Sequence, residues 1–424
     1  MSYREIFLSI AFLIIKFSLS AQDITQQIIT GRHNSKEQQQ KPYVILISAD
    51  GFRADLAEKY NAVNLLRLRD NGVQAEYMLA SFPSLTFPNH YTIVSGLYPA
   101  HHGLVNNTFY DPNRKVVYSM SNKKMVADSS WYTGTPLWVL SEKQQMLSAS
   151  YFWVATESAI QGIRPTYYFI YNEKTGIDSR IQTVKNWLQL PEETRPHFIT
   201  FYFPDVDHAE HLYGPDSKEA ADAVHFVDES VGKMVAEVNT LNLPVNFVFV
   251  SDHGMTKIDT TKVIRLPKEI DTSKFFTPIG ESVIHLYAKQ NSFIKPTYKA
   301  LKKVAKDFDV YLIKKNTPMR WHYSKSDDRY NRLGDIILVP HLPAFFNIGT
   351  TKNTNIGKHG FDPYFPDMHA TFYAWGPAFK QQVKINGFEN INVYPLIATI
   401  LGLNYNEDDI DGKLSILKPV LKKK

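Results

Sequence analysis

The sequence of 424 residues contains no cysteine. This absence excludes disulfide-stapled scaffolds, thiolate zinc sites, iron–sulfur clusters and cysteine nucleophiles. Any metal would therefore be held by histidine and carboxylate side chains, and the chain has 14 histidines. With 44% hydrophobic residues, a chain of this length can bury a large core.

An excess of charge of one sign is also lacking. Lys and Arg number 47 against 42 Asp and Glu, which gives a formal net charge of +5. This near balance offers no electrostatic footprint for nucleic acid, so we expect no specific nucleic-acid binding. The partner must be inferred from individual sites instead.

No apolar run in the sequence is long enough to span a bilayer. The run over residues 6–15 follows Arg4 and precedes small residues, which predicts an export signal over residues 1–21. Residues 22–41 are polar and rich in glutamine, and we expect a linker there. Because exported eukaryotic enzymes of this size commonly carry disulfides, an exported chain without cysteine indicates a bacterial periplasmic or secreted protein.

Continuous apolar runs of the kind found in buried parallel strands recur along the chain. The first begins at Tyr43, and others cover residues 197–203, 245–252 and 368–376. Helical patterns lie between them, for example over residues 220–238. The alternation predicts an α/β fold with a doubly wound, mostly parallel sheet.

We expect one catalytic domain over residues 42–420. Between about residues 259 and 343, strand-like segments flank a lysine-rich helical pattern and interrupt the alternation. This stretch predicts a small α+β insertion that caps the same unit.

Residue types that bind metals follow the predicted strands at their carboxyl ends, where open α/β sheets bind ligands. Asp50 ends the first run, and Asp252 with His253 ends the third. The second run continues into residues 204–211, which hold two Asp and two His, and His359 precedes the last run. Such ligands suit zinc, manganese or a mixed pair, and two metals can clamp both oxygens of a phosphoryl transfer.

The segment over residues 81–91 supplies candidate nucleophiles. Pro88 is typical of the first turn of a helix and predicts that Thr86 lies at or near its start. A hydroxyl there meets unpaired backbone N–H groups and the positive end of the helix dipole, which favours a phosphoryl group. On spacing alone, Thr86 and Ser84 are both candidates.

The strings LISADGFR, PSLTFPNHYTIVSGLYPAHHGLVNN, DHGM, HGFDP and GPAFK resemble the nucleotide pyrophosphatase/phosphodiesterase family of the alkaline phosphatase superfamily. The chain looks most like bacterial members. The resemblance implies an alkaline-phosphatase-type sheet and two zinc ions per chain. It also implies an exported phosphodiesterase that cleaves nucleotide phosphodiester or pyrophosphate bonds and releases nucleoside 5'-monophosphates.

The same resemblance assigns roles to individual residues. Thr86 would be the nucleophile and form a phospho-threonine intermediate. Asn107, with the backbone N–H of Thr86, would hold a phosphate oxygen. The implied metal ligands are, for one ion, Asp50, Thr86, Asp252 and His253, and, for the other, Asp207, His211 and His359. An Asp-x-x-x-His spacing before Leu-Tyr-Gly-Pro selects this pair over Asp205 and His208.

Three residues match positions at which nucleotide-cleaving relatives form a slot for the base: Phe87, Met120 and Tyr168. Stacking tolerates any base because every base has a π face. The expected partner is then a nucleotide or small phosphodiester, bound by a monomer with no transmembrane span. The alternatives are a phosphodiesterase for choline-type diesters, a phosphonoacetate hydrolase, and a non-catalytic binding protein of the same fold.

Overall fold

The segment Tyr43–Ala49 forms a strand whose seven side chains are all buried. In the computed structural model, which describes residues 25–278, 282–349 and 354–423, this strand lies inside a nine-stranded sheet. The export signal predicted for residues 1–21 lies outside the described residues. No helix in the described part of the chain has the length and apolar character needed to cross a membrane.

The described residues form 21 strands and 12 α-helices. The strands are β1 (Gln27–Ile28), β2 (Tyr43–Ala49), β3 (Val73–Ala75), β4 (Met78–Leu79), β5 (Thr108–Asp111), β6 (Val116–Ser119), β7 (Ser148–Tyr151), β8 (Tyr167–Tyr168), β9 (Phe198–Phe203), β10 (Val245–Val250), β11 (Thr256–Lys257), β12 (Val263–Ile264), β13 (Phe275–Phe276), β14 (Ile284–Ala288), β15 (Phe308–Leu312), β16 (Ile336–Pro340), β17 (Phe345–Phe346), β18 (Gly357–Lys358), β19 (Phe372–Trp375), β20 (Val383–Ile385) and β21 (Phe388–Glu389). The helices are α1 (Leu56–Lys59), α2 (Val63–Asp70), α3 (Thr86–Ser95), α4 (Pro99–His102), α5 (Lys123–Val126), α6 (Leu137–Lys143), α7 (Ile177–Leu188), α8 (Asp205–Tyr213), α9 (Lys218–Asn239), α10 (Ile294–Val304), α11 (Val393–Leu401) and α12 (Leu414–Leu417).

The large sheet has the strand order β1-β8-β7-β9-β2-β10-β19-β3-β20. Strands β8, β7, β9, β2 and β10 run parallel to one another, which confirms the prediction of a mostly parallel α/β sheet. The expectation of a further parallel strand within residues 368–376 is wrong, because β19 pairs antiparallel with β10 and β3. A strand covered on both faces has the same apolar pattern in either direction.

Alternate side chains of β2 enter two separate cores. Val44 and Leu46 pack with residues of α3 and α11, whereas Ile45 and Ile47 pack with residues of α7 and α9 on the opposite face. Because side chains alternate along a strand, one apolar run supplies both layers. Helices on both faces make the sheet doubly wound.

Residues 25–41, expected as part of a linker over residues 22–41, pack against the domain instead. Strand β1 pairs with β8 at the sheet edge. The buried Asn34 amide donates to the carbonyls of Glu192 and Arg195, both at 2.7 Å, and accepts from the backbone N–H of Leu147 at 2.7 Å. The expectation is wrong for these residues because their polar side chains pair with backbone groups of the domain.

A second, four-stranded sheet has the order β13-β14-β16-β15 and lies inside the range 259–343 expected as an insertion. Both β14 and β15 pair antiparallel with β16, so they run parallel to each other. Helix α10 connects them, which makes a β-α-β unit split by β16. Its apolar side chains form their own core, which includes Ile284, Leu301 and Leu338.

Candidate metal centre and nucleophile

Three aspartates meet at the carboxyl edge of the large sheet. Asp50 follows β2, Asp252 follows its parallel neighbour β10 after one residue, and Asp207 lies in the first turn of α8, which begins soon after β9. The backbone N–H of Asp207 donates to the Asp50 carbonyl at 3.1 Å, and that of Gly51 donates to Asp252 Oδ1 at 3.2 Å. A Cβ on Gly51 would stand 3.0 Å from the Asp207 Cα, so glycine permits the close approach.

One cluster of potential ligands surrounds the Nε2 atom of His253. This atom lies 2.9 Å from Asp252 Oδ2, 3.5 Å from Asp50 Oδ1 and 3.2 Å from the hydroxyl oxygen of Thr86. Asp50, Asp252 and His253 are all buried. These are four of the seven predicted ligands, and they lie together.

The other predicted ligands form a second cluster beside the first. Asp207 Oδ1 lies 3.5 Å from His211 Nε2 and 3.6 Å from His359 Nε2, and the two Nε2 atoms are 3.1 Å apart. The rings of His359 and His253 stack at 3.7 Å between centroids, so the two clusters adjoin. Ligand atoms of Asp207, His253 and His359 lie within 4.8 Å of one another.

Backbone carbonyls orient all three imidazoles. His211 Nδ1 lies 2.9 Å from the Gly357 carbonyl, His253 Nδ1 3.0 Å from that of Gly254, and His359 Nδ1 2.9 Å from that of Ser84. A neutral imidazole that donates from Nδ1 presents a lone pair on Nε2, which is the arrangement of a metal-bound histidine. If both rings donate from Nδ1, the two Nε2 lone pairs face each other at 3.1 Å, and a cation between them would remove their repulsion.

The carboxylates also fit a cation. One buried oxygen of each aspartate accepts no hydrogen bond: Asp50 Oδ1, Asp207 Oδ1 and Asp252 Oδ2. Leaving such an acceptor unpaired in a protein interior is costly, and metal coordination removes the cost. A set of oxygen and imidazole donors without thiolate fits zinc.

The electrostatics of the cluster agree with this chemistry. Burial, together with the Asp252 and Asp207 carboxylates, raises the pKa of Asp50 well above its usual value. Burial, followed by the charge of His253, lowers the pKa of His359 well below its usual value. Burial lowers the pKa of His253, but the Asp252 carboxylate outweighs burial and raises it above its usual value. The protein alone therefore favours a neutral imidazole at His359 and penalises a third carboxylate charge, and a bound cation reverses the second effect.

Thr86 is the first residue of α3 and is partly exposed. The other candidate hydroxyl, on Ser84, is buried and donates to the carbonyl of Phe361 at 3.0 Å. Of the two hydroxyls, the one on Thr86 contacts the metal-ligand cluster. Asn107 lies beside it, because its side-chain oxygen accepts from the backbone N–H of Phe87 at 3.0 Å, which leaves the amide NH₂ as the group that can donate to a ligand.

Asp205 and His208 lie on α8 outside both clusters. Asp205 interacts electrostatically with Arg180, and His208 Nδ1 lies 3.8 Å from a carboxylate oxygen of Glu173. The spacing argument that preferred Asp207 and His211 agrees with this arrangement.

The three residues expected to form a base slot lie at different places. Phe87 follows Thr86 directly, and the backbone N–H of Met120 donates to the Asn107 carbonyl at 3.0 Å, so both adjoin the site. Met120 is 41% exposed. Tyr168 belongs to β8, where it is paired with Gln27 and Ser150 of the neighbouring strands. Its place in a slot stays a prediction.

Two tyrosines near the candidate metal ligands were not predicted from the sequence as part of the site. The hydroxyl of Tyr202 donates to Asp50 Oδ2 at 2.6 Å, and the ring of Tyr171 lies 6.0 Å from that of Tyr202 in an edge contact. Tyr202 sits in an apolar run in which it reads as a core residue. Its position near the end of β9, beside strand β2, which Asp50 directly follows, was the available signal.

A mostly parallel sheet with carboxylates and imidazoles gathered at its carboxyl edge defines an α/β protein with a candidate metal site beside a threonine at a helix start. The chain belongs to the type I phosphodiesterase / nucleotide pyrophosphatase family, whose model matches residues 44–362. The resemblance predicted from the motifs is thereby confirmed.

The relatives that match this chain include animal and yeast proteins. The chain is 35% identical over 376 residues to ectonucleotide pyrophosphatase/phosphodiesterase family member 1 of Mus musculus, covering 86% of this chain and 41% of the mouse protein. It is 33% identical over 394 residues to an uncharacterized pyrophosphatase/phosphodiesterase of Schizosaccharomyces pombe, covering 89% of this chain and 80% of that protein. The chain therefore spans 41% of the length of the mouse relative and 80% of the length of the yeast relative.

Solved structures share the fold over the whole domain. Murine ectonucleotide pyrophosphatase/phosphodiesterase 5 superposes with a TM-score of 0.83 at 27% identity, covering 90% of this chain and 100% of that one. An inactive threonine-to-alanine variant of the same murine protein, in complex with AMP, has a TM-score of 0.83 at 26% identity.

Proposed function

We propose that this protein hydrolyses nucleotide phosphodiester or pyrophosphate bonds and releases nucleoside 5'-monophosphates through a phospho-threonine intermediate on Thr86. The observation that carries the proposal is the pair of adjoining Asp/His clusters with the Thr86 hydroxyl 3.2 Å from His253 Nε2. Two zinc ions are the proposed cofactors. Zinc bound by these clusters would act as a Lewis acid on the attacking and leaving oxygens.

The protein's own groups would then perform two in-line steps. Thr86 Oγ1 gives its proton to solvent and attacks the phosphorus, and the bond to the leaving oxygen breaks with its electron pair going to that oxygen. A water molecule next attacks the phosphorus of phospho-Thr86, and the oxygen of Thr86 leaves and takes up a proton that the attacking water releases. The nucleoside 5'-monophosphate is released in this second step.

The start of α3 would stabilise the charge that develops on the phosphoryl oxygens. The proposed donor is the backbone N–H of Thr86, because the Phe87 N–H donates to Asn107 and Pro88 has no N–H. The Asn107 amide, oriented by the Phe87 N–H, supplies a further donor. Preorganised donors of this kind act more strongly on the transition state than on the substrate.

Substrate recognition would rest on one ester substituent. Phe87 and Met120 adjoin Thr86 and Asn107, and with Tyr168 they are the proposed contacts of the base. The AMP complex of the murine relative supports a nucleotide as the bound group. The export signal over residues 1–21 and a periplasmic or secreted location belong to the same proposal.

Product analysis on ATP tests the reaction. The zinc-loaded protein should give AMP and pyrophosphate, because attack at the α-phosphorus retains the nucleoside on the enzyme. A chelator should abolish the reaction, and added zinc should restore it. ADP and phosphate as products would contradict the proposal.

The alternative activities are separated by a substrate panel. Faster turnover of glycerophosphocholine or of phosphonoacetate than of ATP would replace the nucleotide substrate with one of these compounds. Absence of turnover together with absence of bound zinc by metal analysis would indicate a binding protein.

A further inference from the structure

A large groove lies away from the metal centre, between the β5–β6 hairpin and the small sheet with α10. Its volume is about 1310 Å³, and Tyr110, Phe276 and Tyr298 are among its lining residues. Pockets for small molecules are usually about 300–1,000 Å³. The groove is therefore larger than a site for one small ligand requires.

Seven lysines line this surface, which we name the lysine groove. Lys115 comes from the β5–β6 hairpin, and Lys289, Lys295 and Lys299 come from the end of β14 and from α10. The remaining three are Lys314, Lys315 and Lys325, which follow β15. All seven are exposed.

Negative charge to balance these lysines is scarce. Asp335 is the acidic residue of the lining, and its carboxylate accepts from the backbone N–H of Ala288 at 2.8 Å. Lys325 Nζ lies 3.4 Å from Asp328. Within the described residues, the other six groove lysines have no carboxylate within 4.0 Å. Lys289 Nζ donates to the Thr272 carbonyl at 3.4 Å. Because these lysines are exposed and six of them lack a neighbouring carboxylate, their ammonium groups can bind an external anion.

The spacing of the lysines carries an electrostatic cost. Lys295 and Lys299 are four residues apart on α10 and face the same side of the helix. Like charges at this spacing repel each other and destabilise a helix. An anion bound in the groove would remove the repulsion.

Aromatic rings accompany the charges. The ring centroid of Tyr110 lies 4.5 Å from that of Phe276 and 5.4 Å from that of Tyr287. Phe276 is 37% exposed despite its apolar ring. Tyr110 is half-buried and Tyr287 is buried, so Phe276 supplies the exposed ring of this group. A basic groove with an accessible ring is an arrangement by which proteins hold single-stranded nucleic acid, since lysines contact phosphates and rings stack on bases.

The β5–β6 hairpin joins the lysine groove to the candidate active site. Asn107 directly precedes β5, and Met120 directly follows β6. Tyr110 and Val117, which are paired across the hairpin, line the groove. At about 3.3 Å per residue, three residues of strand carry the chain from Asn107 to Tyr110 over about 10 Å.

We propose that the lysine groove binds the single-stranded chain of an oligonucleotide substrate whose terminal phosphodiester lies at Thr86. The inference rests on the proposed function for the cleavage step, but binding in the groove is measured separately. Sequence-independent binding through phosphates and stacking explains why no base-reading motif is needed.

The test compares two triple variants made in the full chain with Thr86→Ala, which keeps the strand intact. One carries Lys295→Glu, Lys299→Glu and Lys315→Glu in the groove. Its matched control carries the same charge change at exposed lysines far from the groove, at Lys384, Lys413 and Lys418. Fluorescence anisotropy with a labelled oligothymidine of about twenty nucleotides, long enough to exceed one binding site, gives the Kd at several salt concentrations.

We expect the groove variant to raise the Kd at least about tenfold, and the plot of log K against log salt to flatten by about 2, because three phosphate contacts are lost. The control should change the Kd less than about threefold. With Thr86 restored, both triple variants should hydrolyse p-nitrophenyl thymidine monophosphate at the parental rate.

Equal weakening by both variants would overturn the proposal, because the effect would then be one of net charge. Unchanged binding in the groove variant would overturn it as well. Displacement of the strand from the parent protein by a sulfated polysaccharide, with tighter binding of that polymer, would assign the groove to a different class of polyanion. If the parent protein binds the strand but fails on ATP and on the thymidine ester, the proposed function fails while the groove assignment stands.

Discussion

The candidate metal centre and the lysine groove are both charged, but they are built in opposite ways. In the centre, residues of both signs are buried, and each imidazole is held by a backbone carbonyl. In the groove, exposed lysines of one sign stand on flexible stems, and six of the seven have no carboxylate neighbour among the described residues. A rigid buried site suits chemistry on one atom, whereas a mobile surface suits a long polyanion.

The largest effect is expected from Thr86→Ala, which changes the candidate metal centre and leaves the lysine groove intact. Loss of the nucleophilic oxygen should lower kcat by at least about 10³-fold, in line with the removal of other catalytic nucleophiles. Zinc content should stay near the parental value, because the two aspartates and the imidazole of its cluster remain. Kinetics on ATP and metal analysis measure the two effects, and Thr86→Ser is the control that keeps a hydroxyl. More than about a tenth of parental activity in the alanine variant would contradict the assignment of the nucleophile.

The next effect concerns the Asn107 amide. Asn107→Ala should lower kcat by about 10²–10³-fold with a smaller change in KM, because one donor to the transition-state oxygen is lost. Asn113→Ala removes an exposed amide from the tip of the same hairpin, where its NH₂ group donates to the Tyr330 carbonyl at 3.4 Å, and should leave kcat unchanged. A rise in KM alone would indicate that Asn107 binds substrate and transition state equally well.

A smaller effect is expected for Tyr202, which would act by orienting Asp50, a proposed metal ligand. Tyr202→Phe removes the donor to Asp50 Oδ2 and should weaken zinc binding or activity by about 10–100-fold. Excess zinc should restore part of the activity, which a general folding defect would not allow. Tyr171→Phe is matched to it, since that hydroxyl donates to Glu173 at 2.7 Å and not to a metal ligand. Equal loss in both variants would contradict a positioning role for Tyr202.

The smallest effect is expected for the candidate metal centre when the salt concentration is raised, and it distinguishes this centre from the lysine groove. Raising ionic strength should change kcat/KM for the small thymidine ester less than about threefold, because buried charges are screened little. The affinity of the Thr86→Ala chain for an oligothymidine strand should fall by at least about tenfold over the same range, because phosphate contacts release counterions. If kcat/KM for the thymidine ester and the affinity for the strand fell equally with salt, the two regions would not differ in how they hold charge.

Part of the metal centre could be predicted from local pattern. Asp50 and Asp252 follow apolar runs, and neighbouring parallel strands end at the same edge of a sheet, so their meeting required only the strand assignment. The family motifs added Thr86, and their spacing selected His211. The contact between Asn107 and the Phe87 N–H joins residues 20 apart, and no local rule gives its geometry.

Other features could not be predicted correctly, because the pattern of apolar and polar residues indicates which side chains are buried. It does not indicate the direction of a strand or the hydrogen-bond partner of a side chain. Strand β19 is apolar like its parallel neighbours but antiparallel to them. Asn34 reads as a solvated side chain, yet it is buried and bonded to three backbone groups. Tyr202 reads as part of the core, yet its hydroxyl contacts Asp50. In each case the deciding partner is remote in sequence.

The amino-acid sequence by itself determined the family, the α/β layering and the absence of thiolate ligands from any candidate metal site, because these depend on composition, periodicity and the order of short motifs. Only the tertiary structure decided where charge is concentrated. The net charge of +5 gives no indication of the groove, in which lysines remote in sequence, such as Lys115 and Lys315, lie on one surface. Charge balance sums over the whole chain, whereas a ligand meets only the side chains that folding brings within a Debye length of one another.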